Sequence, residues 1–143
     1  MTCMDTWQRL LADRMDEIIA TATNAMLHAY APYSNFPVGA AVLTANGNIF
    51  PGCNVENASF GLTICAERVA FFAAVACGHV DDIVAVAIVS RTDQYCRPCG
   101  ACRQVIAEFS RLDTPISVIS VGNSGDYVIE PITALLPDSF RLL

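Results

Sequence analysis

The sequence predicts an α/β fold, a three-layer α/β/α sandwich built on one mixed five-stranded sheet. An amphipathic helix opens the chain, a hairpin signal follows, and apolar strand runs then alternate with helical ones. A hairpin followed by strand–helix alternation gives both antiparallel and parallel pairs, hence a mixed sheet covered by helices.

From Trp7 to Tyr30, Leu11, Met15, Ile18, Ala22, Met26 and Ala29 recur at steps of three and four residues. That spacing lines one face of a helix, and Pro32 and Pro37 end it. Val38–Thr44 and Asn48–Val55 read as strands joined around Asn46-Gly47, a two-residue hairpin signal. Cys65–Cys77 is an apolar helix closed by Gly78 just past its end. Ile83–Ser90 is a continuous apolar strand of the kind covered on both faces. Gly100–Ser110 follows as a helix, Ile116–Val121 and Tyr127–Ile129 as strands, and Ile132–Leu136 as a last short helix.

The chain has 143 residues, the size of one domain spanning 1–143. With 54% apolar and 15% charged residues it is too hydrophobic to be disordered. The excess of apolar surface needs an outlet in a membrane or a partner. The longest apolar runs, Val69–Cys77 and Ile83–Val89, fall short of the about 20 residues of a membrane-spanning helix. Asp5, Asp13 and Asp16 interrupt any export signal, so the expectation is a soluble, cytoplasmic protein.

All eight basic residues are Arg, and the sequence contains no Lys. Schiff-base catalysis and a P-loop lysine are therefore excluded. Scattered Arg on a chain of net charge −6 argues against nucleic acid, whose grip needs clustered cations. A small, uncharged substrate fits better.

Seven cysteines, an odd number without an export signal, read as thiols or metal ligands. Cys99-Gly100-Ala101-Cys102 starts one predicted helix and Cys65 starts another. Free N–H groups and the helix dipole favour thiolates at both places. Three thiolates with one open position are the pattern of a catalytic zinc, whereas a structural zinc closes all four. Glu67 is an acid beside this set that need not ligate. Cys96, Cys99 and Cys102 also begin like an iron–sulfur run, which leaves an electron-transfer or closed structural site as the competing reading. Against it, the fourth cysteine of such a run is missing, since position 106 is Ile.

Cys65-Ala66-Glu67 followed by Pro98-Cys99-Gly100-Ala101-Cys102 fits the signature of the zinc deaminases. Roughly from Ala29 to Phe140 the chain resembles the cytidine deaminase family, in its small homotetrameric form. Tyr30-Ala-Pro-Tyr-Ser-Asn-Phe-Pro-Val-Gly-Ala-Ala41 and Asn54-Val-Glu-Asn-Ala-Ser-Phe-Gly61 resemble two further family segments.

The resemblance implies hydrolytic deamination of free cytidine and deoxycytidine to uridine and deoxyuridine, with release of ammonia, in pyrimidine salvage. It implies one Zn²⁺ per chain on Cys65, Cys99 and Cys102, with Glu67 shuttling protons. Phe36 would lie against the pyrimidine, Asn54 and Glu56 would bind ribose hydroxyls, and Ala66 would also face the substrate. Ala58, Phe60 and Phe140 are candidates for completing a neighbour's site in a homotetramer, with Val69–Cys77 buried between subunits. Phe60 stands where the family often has Tyr, which removes one sugar contact. An N4-substituted cytidine or a nucleoside antibiotic remains open as the substrate. Three thiolates also give the zinc site a formal charge of −1, so one or both of Arg68 and Arg103 are expected to hydrogen-bond a ligand sulfur.

Overall fold

The computed structural model describes residues 2–142. Helix α1 (Cys3–Met26) starts four residues earlier than its apolar periodicity suggests, because Thr2 and Asp5 form a reciprocal capping box. It also stops short of Tyr30, which leaves the helix and bonds Asn54 and Glu56 through its backbone. Strands β1 (Val38–Thr44) and β2 (Ile49–Cys53) follow, then a 3-10 turn (Phe60–Leu62) and α2 (Ala66–Ala76). The remaining elements are β3 (Ile83–Ser90), α3 (Gly100–Glu108), β4 (Ser117–Val121), β5 (Tyr127–Pro131) and α4 (Ile132–Leu135).

The β1–β2 turn differs from the two-residue form. The Gly47 N–H donates to the Thr44 carbonyl, and only Gly47, not Asn46, has a positive φ, at 87°. A tight two-residue turn of the mirror-image kind needs positive φ at both central residues. Here the glycine sits one place later and closes a longer loop between Leu43 and Ile49.

The sheet order is β2-β1-β3-β4-β5, with β3–β4 parallel and every other pair antiparallel. This is the mixed five-stranded sheet expected from the sequence. Alternate residues feed two cores. Ala41, Leu43, Ala85 and Ala87 pack under Leu11, Met15, Ile18 and Ala22 of α1. On the opposite face Ala40, Val42, Val86 and Ile88 meet α2 and α3. Strand β3 is consequently buried along its whole length, which explains its unbroken apolar run.

Phe71 of α2 is fully buried and stacks on Phe109, with ring centres 6.0 Å apart and planes at 27°. Truncating such a ring costs roughly 3–5 kcal/mol, so this contact fixes α2 against the end of α3. The same helices begin beside one another at the edge of a surface cavity.

Candidate active site

Cys65 is the N-cap of α2 and Cys99 the N-cap of α3. Neither side chain caps its own helix. Both sulfurs are thereby left beside unpaired N–H groups and the positive ends of two helix dipoles. Cys102 lies one turn into α3 and is fully buried.

The sulfurs of Cys65, Cys99 and Cys102 all lie within 4.8 Å of one another, and those of Cys65 and Cys99 are 3.9 Å apart. Tetrahedral zinc with Zn–S bonds of about 2.3 Å requires S···S separations of about 3.8 Å, so the donors fit the ion. Among the described residues this cluster contains three protein ligands and no fourth, which leaves one position for a non-protein ligand. Cys96 is outside the cluster and packs its half-buried side chain against the core. The closed four-ligand alternative therefore has no support in the geometry.

The charge balance favours metal binding. Cys102 hydrogen-bonds the Cys65 sulfur, and Arg68 and Cys99 add further bonds, which together lower the Cys65 thiol to about 5. Cys102 is correspondingly pushed up, first by that same bond and then by burial. Arg68 and the neighbouring thiols thus favour the thiolate form of Cys65. Arg68 reaches it from one turn along α2, its Nη2 lying 3.4 Å from Sγ, and its Nε is buried without a partner.

Arg103 does not do the same. Its Nε donates to the Pro98 carbonyl at 2.8 Å and its Nη1 to the Leu135 carbonyl at 2.7 Å. Both bonds tie the start of α3 to α4, so the guanidinium is committed to backbone and touches no sulfur.

Glu67 follows Cys65 by two residues and is 4% exposed. Burial raises its carboxyl to about 7, with the Cys65 charge pushing the same way. It opens onto a cavity of about 380 Å³ lined also by Phe36, Asn54, Ala66, Cys65 and Cys99. Two of the three sequence-predicted ligands, the acid and Phe36 thus line one hollow, with the Cys102 sulfur buried behind it.

The walls of that hollow are held by side chain–backbone bonds. Asn54 accepts from the Val38 N–H at 2.8 Å and donates to the Phe36 carbonyl at 2.9 Å, which fixes the Phe36 segment over the cavity. Glu56 lies in an adjoining recess with Tyr33, Ser34, Phe60 and Thr63. Its Oε2 accepts from the Tyr33 N–H at 2.8 Å and the Ser34 N–H at 3.2 Å. Bonds from the Ser34 hydroxyl and then from these amides hold its carboxyl below the usual range.

Within one chain, Ala58 and Phe140 do not line the cavity, and Phe60 reaches only the recess, packed edge-on against Tyr33. All three are exposed, Phe60 at 74% and Phe140 at 69%. Sequence reasoning missed Ser34, Val38, Thr63, Ile64, Cys96 and Arg97 as lining residues. Ser34, Thr63 and Ile64 arrive through the isolated pairings Tyr30–Val55 and Val55–Ile64, which no local pattern reveals. Arg97 adjoins Pro98-Cys99, and that adjacency was the one available signal.

Fold and site together define a zinc-dependent deaminase of small molecules. Residues 13–117 match the cytidine and deoxycytidylate deaminase zinc-binding region, and the chain belongs to that family. A cytidine deaminase of Sporosarcina psychrophila is 45% identical over 126 residues, covering 88% of this chain and 90% of its own. One from Halalkalibacterium halodurans is 47% identical over 124 residues, with 86% and 91% covered. The crystal structure of cytidine deaminase from Burkholderia pseudomallei superposes with a TM-score of 0.80 at 46% identity, covering 87% of this chain and 98% of that one.

Proposed function

We propose that the protein is a cytidine deaminase, converting cytidine and deoxycytidine with water to uridine and deoxyuridine and releasing ammonia. The observation that carries this is a cluster of three zinc-competent sulfurs, two of them on the wall of a cavity of about 380 Å³, with the buried carboxyl of Glu67 on the same wall. Relatives that bear this name and align over about nine-tenths of their own length support it.

Cys65, Cys99 and Cys102 would hold Zn²⁺. When bound, zinc supplies a Lewis acid that brings the pKa of water towards neutrality. Glu67 takes a proton from the attacking water onto its carboxylate and delivers it to N3 of the pyrimidine. The same carboxylate then takes the second proton, from the new C4 hydroxyl, and passes it to N4 as the C4–N4 bond breaks, the C4 carbonyl forms and ammonia leaves. A group near 7 suits this work, because it must both accept and donate within one turnover. Arg68 draws charge from the Cys65 sulfur, which offsets the anionic ligand set.

Phe36 packs on the pyrimidine, Ala66 presents its backbone to the ring, and Asn54 and Glu56 bind ribose hydroxyls. The whole chain, 1–143, acts as one deaminase domain in the cytoplasm, within pyrimidine salvage. It assembles as a homotetramer in which Ala58, Phe60 and Phe140 complete neighbouring sites. Exposed Phe60 and Phe140, together with Phe72 standing 47% exposed on α2, supply apolar surface for that contact. No described helix is long and apolar enough to cross a membrane.

Incubation with cytidine should remove its ultraviolet band at the rate ammonia appears. Glu67→Gln should abolish the reaction while zinc stays bound at one ion per chain. Turnover retained by Glu67→Gln, or a monodisperse monomer in light scattering, would contradict the corresponding part of this reading.

A further inference from the structure

Among the described residues that line the cavity, Arg97 carries the one cationic side chain. It stands two residues before Cys99 and shares the cavity wall with Cys65, Cys99 and Glu67. In the reaction above, C4 has to sit at Glu67 and the sulfurs, so the 4-amino group lies at this end of the hollow. Phe36, and Asn54 bonded to the Phe36 carbonyl and the Val38 N–H, account for another part of the wall.

The direction of Arg97 is set from outside the cavity. Its Nε donates to Glu130 Oε2 on β5 at 3.0 Å. Its guanidinium carbon lies 6.0 Å from the centre of the Tyr95 ring. Tyr95 in turn donates to Asp126 at 2.5 Å, and Asp126 also accepts from Ser124. Gly122 leaves room for this arrangement, since a Cβ there would stand 2.7 Å from Asp126 Oδ1 and 3.4 Å from the Tyr95 ring. The Arg97–Glu130 pair is half-exposed, so it adds little to stability. What it does is fix where a long, otherwise mobile side chain lies.

We infer that Arg97, anchored by Glu130, is a specificity-determining residue that walls the cavity beside the 4-amino group, admitting an unsubstituted amine and turning away N4-alkyl cytidines. This rests on the deaminase reading of the site. The discriminated reaction balances in the same way as the main one. Water adds to C4 of N4-methylcytidine, the C4–N4 bond breaks, and methylamine leaves with the transferred proton in place of ammonia.

The test compares kcat/KM for cytidine and N4-methylcytidine in the zinc-loaded protein, reading ammonia and methylamine release. A well-fitted wall discriminates one extra carbon by about tenfold or more. Arg97→Ala should therefore raise the N4-methylcytidine to cytidine ratio by about tenfold. Arg97→Lys, which keeps most of the bulk, should stay within about twofold of the wild type. Glu130→Ala should move the ratio in the Arg97→Ala direction by a smaller factor. Calorimetry on the Glu67→Gln background, where neither nucleoside turns over, should show N4-methylcytidine binding more tightly once Arg97→Ala is added, with zinc content unchanged.

An unchanged ratio in Arg97→Ala with cytidine still deaminated would overturn the inference alone. Should Arg97→Ala fail to fold, Glu130→Ala decides: a raised ratio supports the wall and an unchanged one overturns it. Wild-type protein inert towards cytidine would instead bring down the deaminase reading, a separate and distinguishable result.

Discussion

Arg68 donates from Nη2 to the sulfur of Cys65 at 3.4 Å, across a single turn of α2. Its Nε is buried without a partner, an arrangement tolerable only where the guanidinium charge is matched by a nearby anion. Arg68→Gln should lower kcat by about 10- to 100-fold, the usual effect of losing a bond to a metal ligand. Zinc content, read by atomic absorption, should stay at one ion per chain. Arg103→Gln should leave the Cys65 environment intact and act on stability instead, since its bonds go to Pro98 and Leu135. Equal turnover in wild type and Arg68→Gln would refute the role given to Arg68.

Zinc should also contribute to stability. Cys65, Cys99 and Cys102, the proposed ligands, lie on segments that start α2 and α3, so the ion would join two helices that also pack through Phe71 and Phe109. Ligand binding to the folded state alone adds about 2.7 kcal/mol at a hundredfold excess over Kd. A chelator should therefore lower the Tm of the wild type in scanning calorimetry. Cys102→Ala should start from the lower value and respond little to chelator.

Gly52 is placed for a close approach between β2 and α2. A Cβ there would overlap the Ala66 carbonyl and the Ala70 amide, both rigid backbone. Gly52→Ala should destabilise the fold by about 1–3 kcal/mol in denaturant titration. Because Ala66 lies between Cys65 and Glu67, activity should fall as well, by more than the loss of folded protein explains. Gly61→Ala, where nothing lies within 4 Å, is the matched control and should leave stability unchanged.

Glu56 gives a pH dependence with a definite sign. Its folded-state pKa lies below the ordinary 4.5, chiefly through the Ser34 hydroxyl and then the Tyr33 and Ser34 amides. The stability it contributes is present above the unfolded value near 4.5 and is lost as pH falls through the folded value. Amide exchange at Tyr33 and Ser34 should therefore gain an opening step below that range. Glu56→Gln should remove this dependence; an unaltered acid profile would show that another group is responsible.

What the sequence made legible follows from range. Cys65, Glu67, Cys99 and Cys102 are local: each pair sits at one helix start, so spacing alone places the donors. The strands were equally readable, because β3 is covered on both sides and its apolar run is continuous. Misplaced boundaries have local causes too. The Thr2–Asp5 box extends α1, and Asn46 keeps a negative φ, so Gly47 alone carries the turn. Arg68 and Arg103 both adjoin ligands, yet only tertiary contact with Leu135 shows that Arg103 is used elsewhere. Thr63 and Ile64 reach the cavity only because Val55 pairs with both Tyr30 and Ile64, a non-local event that periodicity does not record.

The two strands that run parallel, β3 and β4, have an evolutionary consequence. The segment leaving β3 carries Tyr95, Arg97 and Cys99 before α3 begins, and it is braced on one side by Asp126 and Glu130 of the β4–β5 hairpin. Substitutions inside the sheet can accumulate so long as volume is kept, since they shift a whole layer together. A single insertion or deletion between Ser90 and Cys99 would break the brace and the ligand set at once. The length of that segment should therefore be inherited more strictly than the composition of the strands around it.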